Sequence, residues 1–200
     1  MISYSIIRNE LKTGDLVLYS ARGAFSDVIK YGTLSKFSHV GMVMRIPEYD
    51  FLTIWECTMP SNIDNLESSP PRMGVQLVPL SDRVHKYSGD IAVRQLKGAS
   101  LPTGTLLKLM ELRKQLRSKS YKHEKVQLLK SANDGPFGHN HKDLSAIFCS
   151  ELVAEAYQCL GLLTDEKSSN EYTPADFSEK KMRKLNGHFF LSDEMLVKND

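Results

Sequence analysis

The sequence predicts an α+β fold, and two patterns along the chain indicate it. In the first half, short runs of alternating or β-branched apolar residues are separated by glycine and proline, which is typical of strands and turns. After Pro102 the apolar residues recur at helical spacing, with lysine and arginine between them. Because the strands come first and the helices follow, we expect the helices to lie on one flank of a sheet.

Five segments of the first half are predicted to be strands by their composition and alternation. They are residues 16–19, 38–45, 53–57, 74–80 and 90–96. The first strand follows a turn formed by Thr13, Gly14 and Asp15. A helix over residues 26–34 is expected between the first and second strands.

Two helices are predicted in the second half. The first begins near Thr105 and carries apolar residues at helical spacing: Leu106, Leu107, Met110 and Leu116. The second spans residues 148–160 and has the most regular pattern, with an apolar residue at every fourth position: Phe148, Leu152, Ala156 and Leu160. Gly161 is expected to end this helix, and turn residues predict a loop over residues 133–138 before it.

Length and composition exclude several classes of protein. The 200 residues are expected to form a single domain over residues 1–200. A hydrophobic fraction of 41% with 25% charged residues is typical of a globular chain rather than a disordered or fibrous one. A net charge of +2 argues against a nucleic-acid partner.

Cysteine usage and the N-terminal segment predict a cytoplasmic location. The 3 cysteines cannot all pair within one chain, which favours a reducing compartment. Residues 1–10 lack the basic start and apolar run of a signal peptide. No window approaches the roughly 18 apolar residues of a membrane span, so we expect a soluble protein or one peripheral to a membrane.

Three residues are candidates for nucleophilic chemistry. We expect Cys149 at the start of the last helix, where free backbone N–H groups and the helix dipole favour a thiolate. His39 begins a predicted strand and is the candidate base, and Glu56 lies on a strand that can neighbour it and orient the imidazole. From the residues alone, a packed cysteine, a structural histidine and a solvated glutamate remain alternatives.

Four motifs, taken in chain order, resemble the NlpC/P60 superfamily. They are residues 13–17 (TGDLV), 25–29 (FSDVI), 37–43 (FSHVGMV) and 147–153 (IFCSELV). Because the histidine strand precedes the cysteine helix, the chain is more similar to the circularly permuted branch, the YiiX/YaeF-like papain-fold amidases and peptidases. Further segments resemble that branch, so that the resemblance covers residues 10–180: residues 55–57, 74–75 and 172–177.

The resemblance implies a permuted papain-like fold, in which a mostly antiparallel sheet or small barrel packs against helices that include the cysteine helix. It implies a cysteine hydrolase that cleaves an amide, peptide or ester bond, with Cys149 as nucleophile, His39 as general base and Glu56 as the orienting residue. The alternatives are a lipid-directed acyltransferase with the same Cys149 and His39, or a non-catalytic binding module. The expected substrate is a small molecule, a peptide or a lipid.

Two features depart from the pattern of that family. A long basic insertion lies around residues 113–140 and forms either a solvated helix face or a site for an anionic lipid headgroup. Its cations are Arg113, Lys114, Arg117, Lys119, Lys122, Lys125 and Lys130. His139, His141 and Asp143 are of the residue types that bind zinc, but a histidine pair in a loop is more often solvated, so we expect no metal or cofactor.

Overall fold

The computed structural model describes five parts of the chain: residues 1–20, 36–58, 62–67, 74–117 and 141–198, with the backbone alone for residues 141–147. The predicted helix over residues 26–34 and the predicted loop over residues 133–138 lie outside the described residues.

A mixed sheet forms the centre of the fold. Its strands are β1 (Ile2–Ser3), β2 (Leu16–Ser20), β3 (His39–Met44), β4 (Thr53–Thr58), β5 (Gly74–Pro79), β6 (Asp90–Arg94) and β9 (Met195–Lys198). They form a 7-stranded sheet in the order β1-β9-β6-β2-β3-β4-β5. A second sheet pairs β7 (Leu96–Lys97) with β8 (Phe190–Leu191). The predicted α+β class is confirmed, and the five predicted strands correspond to β2 through β6.

Strand pairing makes the sheet mostly antiparallel and open. Only β1 and β9 are parallel among the described pairs. Among the described strands, the order leaves β1 and β5 as edges, so these strands form an open sheet and not a closed barrel. β1, β8 and β9 were absent from the sequence interpretation because segments of two to four residues are too short to show an alternating pattern.

Helices cover both faces of the sheet, which corrects the expectation of helices on one flank. The helices are α1 (Tyr4–Ile7), α2 (Leu80–Lys86), α3 (Thr103–Leu116) and α4 (His141–Cys159). α3 and α4 contribute to a core that contains Met42 and Trp55 of the sheet. α1 and α2 contribute to a second core on the opposite face, which contains Val17 and Ile54. Neither of these two helices was predicted, and the four residues of α1 are too few for a recognisable helical period.

Both helices predicted in the second half are present. The buried face of α3 differs from the predicted one, and α4 begins earlier in the chain than predicted. In α3 the buried residues are Leu109, Arg113 and Leu116, whereas Leu107 of the predicted apolar set is 65% exposed. Every member of the predicted repeat is buried: Phe148, Leu152 and Ala156 lie in α4, and Leu160 follows its last residue. Gly161 follows with a φ of 71°, a left-handed conformation that ends the helix as predicted. No helix among the described residues has the length and apolar character to cross a membrane.

Arg94 joins the C-terminal segment to the sheet. Its side chain is fully buried at the end of β6. The guanidinium donates to four backbone carbonyls of that segment, at distances of 2.7 to 3.3 Å: those of Phe177, Met182, Leu191 and Ser192. Since the rigid fork of a guanidinium carries five N–H donors, no other side chain satisfies so many carbonyls from one position.

Arg94→Met is therefore expected to lower the free energy of unfolding by about 3 kcal/mol, because several buried carbonyls lose their donor. Urea denaturation followed by circular dichroism measures this. Arg183→Met is the matched control, since Arg183 is 68% exposed and pairs with an exposed Asp193. The control is expected to change stability by no more than about 0.5 kcal/mol; equal effects of the two substitutions would contradict the role assigned to Arg94.

Candidate active site

Cys149 lies inside the body of α4, and this corrects the sequence interpretation. The helix begins at His141, so Cys149 is about two turns from its first residue. The amide of a residue at this depth bonds the carbonyl four residues earlier, and the dipole effect is confined to the first turn. Free N–H groups of a helix start therefore neither favour the thiolate nor form an oxyanion hole at Cys149.

The Cys149 side chain is fully buried and belongs to the core on the α4 face of the sheet. Its described polar partner is His39, with which it forms a side-chain hydrogen bond. His39 is the first residue of β3, and its side chain is 16% exposed. The structure thus brings together the cysteine and the histidine that the sequence motifs indicate, although they are 110 positions apart in the chain.

Glu56 completes the contact on the other side of the imidazole. Oε2 of Glu56 lies 2.8 Å from Nε2 of His39. Because Nε2 is engaged with Glu56, Nδ1 is the ring nitrogen left for Cys149. The neighbouring strands that were expected to bring His39 and Glu56 together are β3 and β4, which pair antiparallel.

Gly41 makes the close approach of β3 and β4 possible at this point. A Cβ at Gly41 would lie 2.8 Å from Cδ1 of Ile54 and 3.2 Å from Cβ of Glu56. Real Cβ atoms rarely come so near, so a larger residue here would require the Ile54 side chain to move and Glu56 to shift by a few tenths of an ångström. The glycine of the FSHVGMV motif therefore helps to place the carboxylate beside His39.

Arg83 is a residue of the site that sequence reasoning missed. It lies on α2, its side chain is 13% exposed, and Nη2 forms an ion pair with Oε1 of Glu56. A signal was present in the sequence: Leu80, Arg83, Val84 and Tyr87 have the i, i+3, i+4, i+7 spacing of one helix face. An arginine at an inward position of such a face needs a buried anion as its partner.

The charge on Glu56 is stabilised despite complete burial. Burial alone raises the pKa of this carboxyl, but the Arg83 guanidinium and the His39 ring outweigh burial and hold the pKa below its ordinary value. Glu56 therefore stays ionised at neutral pH, with one oxygen facing His39 and the other facing Arg83.

His39 is held in its protonated form by its neighbours. Burial lowers the pKa of His39, but the charge of Cys149 and the hydrogen bonds with Cys149 and Glu56 outweigh burial and raise the pKa from 6.5 to about 10. This arrangement places a protonated imidazole beside the sulfur of Cys149. A thiolate–imidazolium pair is the reactive form of a cysteine nucleophile.

Two tyrosines enclose the imidazole and the carboxylate. The Tyr19 ring lies 5.2 Å from the His39 ring and 4.9 Å from the Tyr87 ring. Burial, together with the nearby charge of Glu56, raises the pKa of Tyr19 well above its ordinary value, so its hydroxyl is neutral. That hydroxyl is buried and has no hydrogen-bond partner among the described residues. Tyr19 therefore contributes packing but no charge to the site.

The other candidate residues are not part of this site as far as the structure describes them. Cys57 is buried in the core on the α4 face of the sheet. Cys159 is partly exposed, and burial raises the pKa of its thiol. His139 and the side chains of His141 and Asp143 lie outside the described residues. Within the described residues, no three His, Cys, Asp or Glu side chains are grouped so as to hold a metal ion.

The predicted basic stretch is only partly described. Arg113 is buried and pairs with Glu67 at 3.2 Å, so it is not part of a solvated or lipid-facing surface. Lys114 and Arg117 are exposed. The remaining lysines of the stretch lie outside the described residues: Lys119, Lys122, Lys125 and Lys130.

Cys149 is expected to be the fastest-reacting thiol, although Cys159 is more exposed. Cys149 is hydrogen-bonded to a protonated imidazole, whereas burial raises the pKa of the Cys159 thiol. Brief treatment with iodoacetamide at neutral pH, followed by peptide mass mapping, measures the order of modification. Modification led by Cys57 or Cys159 would contradict the assignment of Cys149 as the nucleophile.

The stabilisation contributed by His39 is expected to decrease in alkaline solution. Since folding raises the pKa of His39 from 6.5 to about 10, this contribution is fully present below pH 6.5 and is lost as the pH rises through about 10. The difference in unfolding free energy between the wild type and His39→Gln should shrink over that range. Urea titrations of both proteins at several pH values measure it, and a constant difference would show that His39 is not held protonated.

The chain is similar to a viral protein and to a bacterial protein of known structure. No family model matches the chain. The uncharacterized protein R372 of Acanthamoeba polyphaga mimivirus is 44% identical over 50 residues, which cover 22% of this chain and about a fifth, 20%, of the length of that protein. Among solved structures, the metalloprotein yiiX from Escherichia coli O157:H7 matches with 19% identity and a TM-score of 0.48, over 94% of this chain and 97% of the other.

Proposed function

We propose that this protein is a cysteine hydrolase that cleaves an amide, peptide or ester bond through an acyl-enzyme on Cys149. The observation that supports this most strongly is the hydrogen-bonded series from Cys149 to His39 to Glu56. A nucleophile, a base and an orienting carboxylate in this order match the requirements of acyl transfer. The circularly permuted papain-like arrangement that the sequence motifs resemble is part of the same proposal.

In the first half of the reaction, Sγ of the Cys149 thiolate attacks the carbonyl carbon of the substrate. The bond from that carbon to the leaving nitrogen or oxygen breaks, and a thioester forms. The proton on Nδ1 of His39 passes to the leaving group, which departs as an amine or alcohol. Glu56 holds the ring through Nε2 in both protonation states, so the ring does not need to turn between steps.

In the second half, neutral His39 removes a proton from water as the water oxygen attacks the thioester carbon. The carbon–sulfur bond breaks, the acid is released, and the Cys149 thiolate is restored beside a protonated His39. Replacement of water by another acceptor would turn the same acyl-enzyme into a transferase. Hydrolase and lipid-directed acyltransferase therefore share this first half and differ in the acceptor.

Acyl-enzyme formation tests the proposal directly. p-Nitrophenyl esters of short and long acyl chains are incubated with the protein, and the adduct mass and nitrophenol release are recorded. We expect an adduct on Cys149 that is absent in Cys149→Ser and His39→Gln. Glu56→Gln is expected to lower turnover by about 10² to 10⁴-fold without loss of fold, because a neutral amide stabilises the imidazolium less well. Cys57→Ser is the matched control and is expected to retain turnover.

Two further experiments distinguish the cysteine hydrolase from an acyltransferase and from a metal-assisted enzyme. Glycerol or lysophospholipid added as acceptor identifies a transferase if acylated product forms faster than free acid. Prolonged EDTA treatment is expected to leave turnover unchanged; activity that is lost with the chelator and restored by zinc would replace the cysteine mechanism by a metal-assisted one. A protein that binds the ester with no adduct and no turnover would be a binding module.

A further inference from the structure

The two oxygens of the buried Glu56 carboxylate have different partners. Oε2 accepts from His39, and Oε1 is paired with the guanidinium of Arg83. Glu56 itself has no exposed surface, so water does not share in stabilising its charge. A buried carboxylate that loses a cationic partner is expected to take up a proton.

We propose that Arg83 is a positioning residue, which acts through Glu56 by keeping its carboxylate ionised and one oxygen aimed at the His39 ring. The inference rests on the proposed function, because it assigns a role in holding the imidazole that serves Cys149. The described ion pair of Arg83 is with Glu56, and the groups that act on its guanidinium are Glu56, Tyr19 and Tyr87, not His39 or Cys149.

Apart from His39, no described cation near the Glu56 carboxylate could replace Arg83 as its partner. The titratable groups that face this cluster are Cys149 from α4, His39 from β3, Glu56 from β4, Tyr19 from β2 and Tyr87 after α2. Both tyrosines have raised pKa values and are neutral. Among the described residues, the cations that act on Glu56 are therefore Arg83 and His39.

The geometry of α2 supports a specific role rather than general packing. Leu80 and Val84 anchor the helix in the core on this face of the sheet. Leu80 also donates its amide to the carbonyl of Leu52 at 2.9 Å, which ties the helix start to the segment before β4. The guanidinium is thus carried by the same part of the fold that carries Glu56.

The chain offers a matched control for the loss of a buried ion pair. Arg113 pairs with Glu67 at 3.2 Å, and its side chain is 8% exposed, compared with 13% for Arg83. Removal of either arginine leaves a buried carboxylate without its guanidinium. Only removal of Arg83 is expected to affect the imidazole.

The experiment measures the titration of His39 by NMR of its Cε1 proton, assigned with His39→Gln, together with the pH dependence of Cys149 alkylation. In Arg83→Met the His39 midpoint is expected to fall by about 1 pH unit or more, because protonated Glu56 no longer stabilises the imidazolium. Arg113→Met is expected to titrate as the wild type. In a Glu56→Gln background, Arg83→Met is expected to cause no further shift.

Each other outcome overturns the inference. An unchanged His39 midpoint in Arg83→Met, an equal shift in Arg113→Met, or an undiminished shift in the Glu56→Gln background would exclude action through Glu56. If Arg83→Met does not fold, Arg83→Gln decides, since glutamine removes the charge but keeps a polar side chain. A fall of the His39 midpoint in that variant supports the inference, and no fall overturns it.

Failure of this inference is distinguishable from failure of the proposed function. Neither readout requires a substrate, so the titration of His39 remains informative if no acyl-enzyme forms on Cys149. Conversely, an acyl-enzyme on Cys149 together with an unchanged His39 midpoint in Arg83→Met would support the hydrolase proposal and contradict the positioning role of Arg83.

Discussion

The ionised carboxylate of Glu56, buried without exposed surface, is the interaction on which the rest of the site depends. A charge in such a place is tolerated only when its oxygens face donors that are themselves fixed. Here one donor, His39, comes from β3 and the other, Arg83, comes from α2. The position of the Glu56 carboxylate therefore depends on the pairing of β3 with β4, on Gly41 and on the packing of α2. A shift of any of these elements would leave charge unpaired in the interior.

The site lies where the two cores of the molecule meet. Cys149 belongs to the core beneath α4, whereas Tyr19, which pairs with His39 in the β2–β3 register, belongs to the core on the opposite face. His39 is the first residue of its strand, so its ring can contact both sides of the sheet at this end. The position at a strand end thus lets groups from opposite faces share one imidazole.

Sequence patterns predicted the central strands and the three polar residues, but not the contacts between elements. The apolar repeat of α4 starts at Phe148, and this repeat predicts a helix that begins there. The helix instead begins at His141, because residues 141–147 contain no glycine or proline that would end it. Arg83 was missed because its partner is 27 positions away and is recognised only in three dimensions. Periodicity reports local structure, whereas burial of a charge is decided by tertiary packing.

The pairing of β1 with β9 has a consequence for the order in which the molecule can assemble. Ile2 lies opposite Val197, and β9 separates β1 from the rest of the sheet. Contacts at such sequence separation close a very long loop and are typical of slow, late steps of folding. On the ribosome, β1 must therefore wait for β9, and these two strands can pair only after translation has passed residue 198.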